Sequence, residues 1–525
     1  MMRKNLLVLT LCLLLTLCAA CEKQPLPAES LPPATESVPP AGTEPQSRVR
    51  TDYSGLTPRT PRLKYTRLGD GSLPELVPSH DYGDLLPYVG ATTSAPGHGG
   101  SMSTYGLVTM AGMIVTDAVY DRIERVTTYN GYEAAEFPAY LLTRNPPASE
   151  PGRDSVQAVC ALDGSWITTF DYLYAMFNSD VMLLVRSHNS YDIDVYDYGG
   201  RFLYNMSRLP WISDASEDFW QLQYNGAEGY THAIMRDGSI AFVDLMTGEP
   251  SYTEYTAAGQ FSDGLVSVNK DGLWGFADKA FELVIPCEYE HAQSFRFGRV
   301  VVQMPDGLYR LIDKNGRTLL TTDGASYIEE SWDGTGYIVY NYQSGGSEFY
   351  THDLVSIPAD VPEGYSHQQH GGGWFSVSTE DGVKLFSADE EYFFPGIASI
   401  GSVFGNGSYI SYYTQDWHHG VMTPDGNVLI PPIENASIAE VSDGSAVKAF
   451  IVTRYHPDSG YYAMGSPGCC SLYDTDGHLI RSGTGQLSYV SGAGLYALQE
   501  DDRYAYLDMD GVPVFSVPLM SYALD

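Results

Sequence analysis

A turn with Asp at its first position and Gly at its fourth recurs between apolar strands of this chain, and it constrains the fold more than any other feature. An Asp carboxylate accepts backbone N–H bonds across such a turn, and Gly takes the left-handed conformation at little cost. The pattern therefore predicts β-hairpins. The clearest copies pair Asp197 with Gly200, Asp313 with Gly316, Asp474 with Gly477 and Asp508 with Gly511.

The spacing of these turns predicts a repeat architecture. Weaker copies place the glycine at 112, 164, 248 and 426, so one unit occupies about 40 residues and roughly eleven units fit between residues 80 and 525. One such unit has exposed strand edges and a one-sided apolar face, so it must pack against its neighbours. We expect an all-β fold, with a β-propeller favoured and an open β-solenoid as the alternative. Because propellers usually have about four to eight blades, we expect units to pair within blades or the first units to form a separate part.

The best-formed unit runs from residue 261 to residue 292. It contains a turn at Asp271-Gly272, the dipeptide Trp274-Gly275 and the apolar ending Leu283-Val284-Ile285-Pro286. This unit resembles the WG (KWG) repeat, a β-repeat of bacterial surface proteins and other proteins. Trp-Gly occurs in this copy alone, and Ala280-Phe281 stand where the repeat expects Gly, whereas residues 429–433 restore the apolar-Pro ending. The resemblance implies a β-repeat architecture and a structural role for Trp274 and Gly275.

The beginning of the chain predicts export. Arg3 and Lys4 precede an apolar run that is too short to span a bilayer as a mature helix, which indicates a signal peptide over residues 1–20. The run ends in Leu17-Cys18-Ala19-Ala20-Cys21 and resembles the lipobox of bacterial lipoproteins. The resemblance implies that Cys21 is diacylated and becomes the first residue of the mature protein. Acyl chains hold a protein on a membrane, so we expect an extracytoplasmic protein anchored to the bacterial cell membrane.

A proline-rich segment follows the predicted lipidation site. Residues 22–61 contain nine prolines and cannot bury a core. We therefore predict three parts: a signal peptide at 1–20, a lipidated cysteine with a disordered tether at 21–61, and a β-repeat domain of about eleven units at 62–525.

Charge excludes one class of partner. Lys and Arg number 29 against 65 Asp and Glu, giving a net charge of −36. Nucleic acid phosphates repel such a polyanion, so no nucleic acid partner is expected.

Motifs of common enzymes are absent from the sequence. It has no Gly-x-Ser-x-Gly, His-Glu-x-x-His, Walker A or Gly-x-Gly-x-x-Gly pattern. No catalytic residue is predicted. Trp332, Trp374 and Trp417 are placed in loops by the pattern and are candidates for stacking on sugars.

Metal ligands are equally sparse. The histidine pairs His367/His370 and His418/His419 lack helical spacing, and the later cysteines lack metal-binding spacing, so no metal site or cofactor is expected. Asp474 and Asp508 begin segments like the start of a calcium loop, but without its distal Glu, and turn chemistry accounts for them. Calcium remains the alternative. Cys469-Cys470 are either a vicinal disulfide or two small strand residues.

Three functions fit this sequence. The favoured hypothesis is a non-catalytic binding or scaffolding module for a protein or an envelope glycan, because loops on a rigid scaffold commonly carry binding. One alternative is a propeller-type enzyme acting on glycans, with paired carboxylates from distant blades in a central pocket. The other alternative is a purely structural surface protein.

Overall fold

The structure is a computed structural model. It describes residues 76, 78–94, 101–129, 134–145, 154–188, 191–213, 219–223, 226–358, 367–442, 446–455, 467–483, 485–490, 493–500 and 503–523. The predicted signal peptide, Cys21 and the predicted tether lie outside the described residues.

Strands account for nearly all regular structure in the described ranges. The helical segments there are a four-residue α-helix, Pro210–Ser213, and the 3-10 turns Met206–Arg208 and Gly405–Gly407. The strands are β1 (Leu85–Ser94), β2 (Ser101–Thr109), β3 (Arg122–Tyr129), β4 (Ala134–Arg144), β5 (Val156–Ala161), β6 (Tyr174–Phe177), β7 (Val181–Val185), β8 (Ile193–Asp197), β9 (Phe202–Asn205), β10 (Phe219–Leu222), β11 (Tyr230–Met235), β12 (Ile240–Asp244), β13 (Pro250–Tyr252), β14 (Ala257–Ser262), β15 (Leu265–Lys270), β16 (Leu273–Ala277), β17 (Leu283–Tyr289), β18 (His291–Ala292), β19 (Arg299–Gln303), β20 (Tyr309–Asp313), β21 (Thr318–Thr321), β22 (Ser326–Glu330), β23 (Gly336–Asn341), β24 (Ser347–Thr351), β25 (Ser356–Ile357), β26 (His367–His370), β27 (Trp374–Ser378), β28 (Gly382–Phe386), β29 (Glu391–Pro395), β30 (Ile397–Phe404), β31 (Tyr409–Thr414), β32 (His419–Met422), β33 (Val428–Ile433), β34 (Ala436–Ser442), β35 (Val447–Tyr455), β36 (Pro467–Asp474), β37 (Leu479–Gly483), β38 (Gln486–Val490), β39 (Leu495–Gln499), β40 (Arg503–Leu507), β41 (Pro513–Pro518) and β42 (Met520–Ala523).

These strands form eleven separate sheets in the described residues. Sheet 1 has the order β2-β1-β42, sheet 2 consists of β3–β5, and sheets 3 to 11 each take four consecutive strands, from β6–β9 to β38–β41. One sheet thus corresponds to each predicted unit, and the expectation that units pair within blades was wrong. A single repeat unit of about 40 residues already supplies the four strands that a blade needs.

Each four-stranded sheet is an antiparallel meander, which defines two faces of the molecule. Turns between the first and second strands, and between the third and fourth, lie at one end of the sheet, here called the turn face. Loops between the second and third strands, and the connections to the next sheet, lie at the other end, here called the loop face. Consecutive antiparallel pairing, as in β14 to β17, establishes this arrangement.

The two ends of the described chain meet and close the ring. Strand β42 pairs in parallel with the second half of β1, between Ala91–Ser94 and Met520–Ala523. Tyr88 of sheet 1 is buried with Phe515 of sheet 11 in one hydrophobic cluster, and the Tyr506 hydroxyl donates to the Pro87 carbonyl. An open solenoid would leave its first and last units apart. The predicted all-β propeller is therefore confirmed, and the solenoid alternative is not adopted.

The hydrophobic core consists of layers between neighbouring sheets. Phe276 of sheet 5 packs with Phe295 and Val300 near sheet 6 in one such layer, and the two Phe rings lie 4.7 Å apart. The middle strands are covered on both sides, so all five residues of β7 are buried. Fourth strands are exposed in part, as at Leu283 in β17. Burial thus explains the uninterrupted apolar runs of the second and third strands.

Two further features bear on the sequence predictions. Cys160, Cys287, Cys469 and Cys470 are all thiols, and the last two are strand residues of β36 rather than a vicinal disulfide. Within the ranges given above, no helix is long and apolar enough to cross a membrane.

Candidate binding site

The Asp-Gly turns of the repeat join the third strand of a sheet to the fourth. Asp197 Oδ1 accepts the N–H groups of Gly199 at 3.0 Å and Arg201 at 2.9 Å. The Gly200 N–H donates to the Asp197 carbonyl at 3.0 Å, and Gly200 has φ +79°. These side chains shape hairpins around the ring and do not converge on one site. The same contacts occur at Asp313/Gly316, Asp474/Gly477 and Asp508/Gly511, where the glycines have φ of +76°, +81° and +73°.

The structure explains why Gly follows Trp in the Trp274-Gly275 dipeptide. Trp274 pairs with Tyr289 and Phe276 pairs with Ile285, so the backbone of β17 bulges opposite Gly275. A Cβ atom on Gly275 would lie 2.6 Å from the Ile285 carbonyl oxygen and 2.7 Å from the Cys287 nitrogen. Only Gly lets the bulged strand approach this closely.

Sheet 9 contains a second copy of this bulge that the sequence did not reveal. His419 pairs with Ile433 and Val421 with Ile430, so Gly420 faces the bulged Pro431-Pro432 segment. His419 takes the place of the Trp and stacks on Tyr413 at 4.2 Å. The apolar-Pro ending at residues 429–433 indicated a repeat unit here. The dipeptide His419-Gly420 was not recognised, because His stands where the repeat has Trp.

Two of the three tryptophans proposed for ligand contact flank one turn of sheet 8, and the third lies on the opposite face. A Cβ atom on Gly371 would lie 2.7 Å from Trp332, and one on Gly372 would lie 3.7 Å from Trp374. Trp332 belongs to the first–second turn of sheet 7, on the turn face, and is 52% exposed. Trp417 belongs to the second–third loop of sheet 9, on the loop face, and is 59% exposed. Trp374 was predicted in a loop, but it lies in strand β27 and is buried. Its indole stacks on Tyr392 and covers Gly407 of the next sheet. The structure therefore does not unite the three side chains.

The histidines and acidic turns also have local partners. Buried His370 lies with Nε2 2.7 Å from the Ser376 hydroxyl. Asp474, Asp476 and His478 have ligand atoms within 4.8 Å of one another, and this is the one such group in the described ranges. Asp474 Oδ1 already accepts the N–H groups of Asp476 and His478, which is the predicted turn chemistry. Calcium binding here stays an untested alternative.

Carboxylates on the turn face connect neighbouring sheets. Within the described ranges, four acidic side chains of first–second turns accept the N–H of a glycine in the corresponding turn of the next sheet. These bonds link adjacent sheets and give the four carboxylates backbone partners. The pairs are Asp180 with Gly229 at 2.7 Å, Glu228 with Gly264 at 3.0 Å, Asp263 with Gly298 at 2.6 Å, and Asp333 with Gly372 at 2.5 Å.

Glu330 is the acidic group with the most altered pKa in this region. It ends β22 with its side chain 11% exposed, and burial raises the pKa of its carboxyl to about 7, against the opposing charge of Arg296. Arg296 lies 3.6 Å away and its guanidinium also donates to the Trp332 carbonyl at 2.5 Å. The ion pair thus ties sheet 6 to sheet 7.

A cavity of about 620 Å³ lies on the loop face where sheets 1 and 2 meet sheet 11. We call it the seam cavity, because the ring closes here. Its walls include the side chains of Tyr105, Arg122, Asn145, Gln157, Gln486 and Gln499.

Hydrogen bonds hold several polar groups of the seam cavity in place. Gln157 accepts the Ala175 N–H at 2.9 Å and donates to the Thr143 hydroxyl at 3.4 Å. The Asn145 amide oxygen accepts the Ser155 hydroxyl at 2.8 Å. Burial raises the pKa of the Tyr105 phenol, against the charge of Arg122, so the phenol is neutral at physiological pH. The cavity therefore presents fixed carboxamides and hydroxyls.

Two smaller cavities lie on the turn face. One of about 370 Å³ is lined by Trp374 and by Glu390, whose carboxylate accepts the Tyr392 hydroxyl at 2.7 Å. Another of about 370 Å³ lies between sheets 10 and 11 and is lined by Asp474 and Met509. The Glu390 and Asp474 carboxylates therefore already have partners within their own turns or strands.

Comparison with known proteins supports the description of the repeat. Residues 251–274 and 274–309 match the family described as WG containing repeat. The chain is thus a β-propeller that carries WG repeats over sheet 5 and the first half of sheet 6. No curated protein matched the chain.

Similar solved structures are distant. A eukaryotic initiation factor is 10% identical, covering 83% of this chain and 97% of that chain at a TM-score of 0.33. The computationally designed Ika8 protein is 15% identical, covering 56% and 95% at a TM-score of 0.24. BamB from Moraxella catarrhalis is 13% identical, covering 66% and 94% at a TM-score of 0.23. At these scores the likenesses carry no argument about this chain.

Proposed function

We propose that this protein is a non-catalytic binding module, anchored outside the cytoplasm by lipid on Cys21 and carried on a proline-rich tether. The WG repeats and the propeller fold fit a binding or structural module. The observation that carries the binding role is the seam cavity, a concave site of about 620 Å³ in which Gln157 and Asn145 are held in place by hydrogen bonds. Sites of roughly 300–1,000 Å³ with a few positioned polar groups are typical of small-ligand recognition.

The state of the carboxylates favours binding over catalysis. Glycosidases need two carboxylates that flank the reacting bond, with one available as acid and the other as base or nucleophile. In the seam cavity, Asp121 accepts the Asn145 N–H at 2.7 Å. On the turn face, Asp263 and Asp333 bind glycine N–H groups of the next sheet, and Glu330 is paired with Arg296. A glycan-active enzyme therefore remains the second candidate only.

Anchoring is tested by expressing the intact chain in bacteria supplied with labelled palmitate. We expect label on the wild-type protein and its loss in Cys21→Ala, because only a cysteine thiol can receive the diacylglyceryl group. Cys18→Ala is the matched control, since Cys18 lies in the predicted signal peptide, and it should keep the label. Unlabelled protein released into the medium would contradict the anchor.

Binding is tested on the same cells. The full-length wild-type protein is cross-linked in the envelope and purified, and its bound material is identified. Retention of a defined envelope component supports the binding role. Recovery of the protein alone would contradict binding and favour the purely structural alternative.

A further inference from the structure

We propose that the seam cavity binds a neutral, polyhydroxylated ligand, that is, a short segment of a glycan. This inference rests on the proposed binding function and assigns its ligand class and site. The chemistry of the cavity walls favours a saccharide over a protein partner.

The cavity offers paired donors and acceptors. Gln486 and Gln499 are cross-strand partners on β38 and β39, and none of the described residues hydrogen-bonds their side chains. Each carboxamide carries an acceptor oxygen and two N–H donors. Vicinal sugar hydroxyls both donate and accept, so a pair of adjacent carboxamides matches them. A buried carboxylate or ammonium ligand would leave half of this capacity unused.

Charge in the cavity is balanced. Among the described residues, the charged groups that line it are Arg122 and Asp121, one of each sign, on a chain whose net charge is −36. The Asp121 carboxylate also accepts the Asn145 N–H. An ionic ligand would therefore find no excess of opposite charge among these residues, whereas a neutral ligand leaves the Arg122 and Asp121 charges balanced and regains hydrogen bonds from the wall amides.

The walls disfavour the core of a protein interface. Such cores depend on clusters of aromatic or Arg anchors in desolvated pockets. Here Tyr105 is the single aromatic side chain among the described lining residues, and the others carry amide, hydroxyl or charged groups. One aromatic ring beside several amides is instead suited to a sugar, whose apolar face packs on the ring while its hydroxyls bond the amides.

Two carboxamides of the seam cavity are held in position before a ligand binds. Gln157 and Asn145 are fixed by bonds to Ala175, Thr143 and Ser155, and the strands themselves are locked by ring closure. Fixed groups lose little conformational entropy on binding, which favours recognition of a flexible oligosaccharide.

The test is calorimetric titration of the purified full-length chain with cellotriose, maltotriose and chitotriose, and with trigalacturonate as a charged counterpart. We expect at least one neutral trisaccharide to bind. The double variant Gln486→Ala/Gln499→Ala should weaken that binding roughly tenfold or more, as expected for loss of one or two good hydrogen bonds. Gln303→Ala is the matched control, because Gln303 ends the second strand of sheet 6 as Gln499 does in sheet 11, and its affinity should equal wild type.

Folding of each variant is checked by its thermal midpoint. Gln486 is exposed, so the single variant Gln486→Ala keeps the test valid if the double variant melts early. Binding of none of the neutral sugars, binding of trigalacturonate alone, or equal affinity in the Gln486 variants would overturn the proposal. If wild type and variants retain the same envelope component in cells, or if that component is a protein, the seam assignment fails while the binding function stands. Retention of nothing by wild type refutes the function itself.

Discussion

At the scale of single residues, the fourth position of the third–fourth turn requires a left-handed backbone. Gly supplies it in most sheets, but in sheet 5 Phe281 adopts φ +64°. Its ring stacks on Phe242 at 4.6 Å and meets Tyr230 edge-on at 5.4 Å. Packing against the preceding sheet therefore offsets the backbone strain, which explains why the sequence departs from Gly here.

Gly275 provides a direct test of the Trp-Gly dipeptide. Gly275→Ala places a methyl group within 2.7 Å of backbone atoms in β17, and backbone cannot move aside as a flexible side chain can. We expect the free energy of unfolding to fall by about 1–3 kcal/mol, as in other overpacked cores. Urea denaturation measures this change.

The control for this variant is Gly324→Ala. A Cβ atom there would have no neighbour within 4 Å, and its φ is not left-handed. This variant should stay within about 0.5 kcal/mol of wild type. Equal stability of the two variants would show that the bulge does not require Gly.

Buried histidines should make the protein less stable in mild acid. Burial lowers the pKa of His370 and of His232 to about 4, from 6.5. The unfolded chain therefore takes up these protons first, so the stability due to the neutral rings is complete above pH 6.5 and is lost as the pH falls toward 4. We expect His370→Gln to reduce the stability difference between pH 7.5 and pH 5 by about 2 kcal/mol, measured by urea denaturation at each pH.

The matched control is Gln368→Ala, because Gln368 is exposed on the same strand, β26, and does not titrate. That variant should keep the wild-type pH dependence. An undiminished pH dependence in His370→Gln would contradict a buried neutral imidazole.

At the scale of elements, hydrogen bonds between the first–second turns of neighbouring sheets hold those sheets together. Asp180 Oδ2 accepts the Gly229 N–H at 2.7 Å, across the boundary between sheets 3 and 4. Asp180→Ala leaves that N–H without its charged acceptor, and we expect a loss of about 1–2 kcal/mol in the free energy of unfolding. Chemical denaturation gives the value. Asp306→Ala serves as control, because the bond of its carboxylate to the described residues stays within its own turn, at Leu308. If Asp180→Ala lowers the free energy of unfolding no more than Asp306→Ala does, the hydrogen bond between the sheets does not stabilise the fold.

The hairpins and the repeat period could be predicted from the sequence. Hairpins follow from Asp and Gly at fixed offsets, because the turn is complete within five residues, as at Asp313 to Arg317. The repeat period then predicts one sheet per unit. The bulge at Gly420 escaped prediction because His419 replaces Trp, and only pairing across β32 and β33 shows the equivalence.

The candidate site could not be predicted for a different reason. Tyr105 and Gln499 line one cavity although nearly the whole repeat domain separates them along the chain. Nothing local in the sequence marks residues that meet only because the ring closes. Conversely, Trp332 and Trp417 look alike in sequence but face opposite ends of the sheets, because one follows a first strand and the other a second strand.

At the scale of the whole molecule, the ring depends on a single closure between its ends. A chain that stops at Pro518 lacks β42 and loses the parallel pairing with Ala91–Ser94, so the edge of β1 becomes exposed. We expect a lower thermal midpoint and roughly tenfold faster amide hydrogen exchange in β1, because local opening no longer breaks those bonds.

Exchange in β20 is the internal reference, since sheet 6 lies away from the closure and its contacts with sheets 5 and 7 are unchanged. Removal of residues 524 and 525 alone is the matched control, because it shortens the chain and leaves β42 intact. Equal protection of β1 in both shortened chains would mean that the packing of Tyr88 against Phe515 closes the ring without the strand. Faster exchange confined to β1 in the longer truncation would instead show that the last strand holds the first sheet, and with it the walls of the seam cavity, in place.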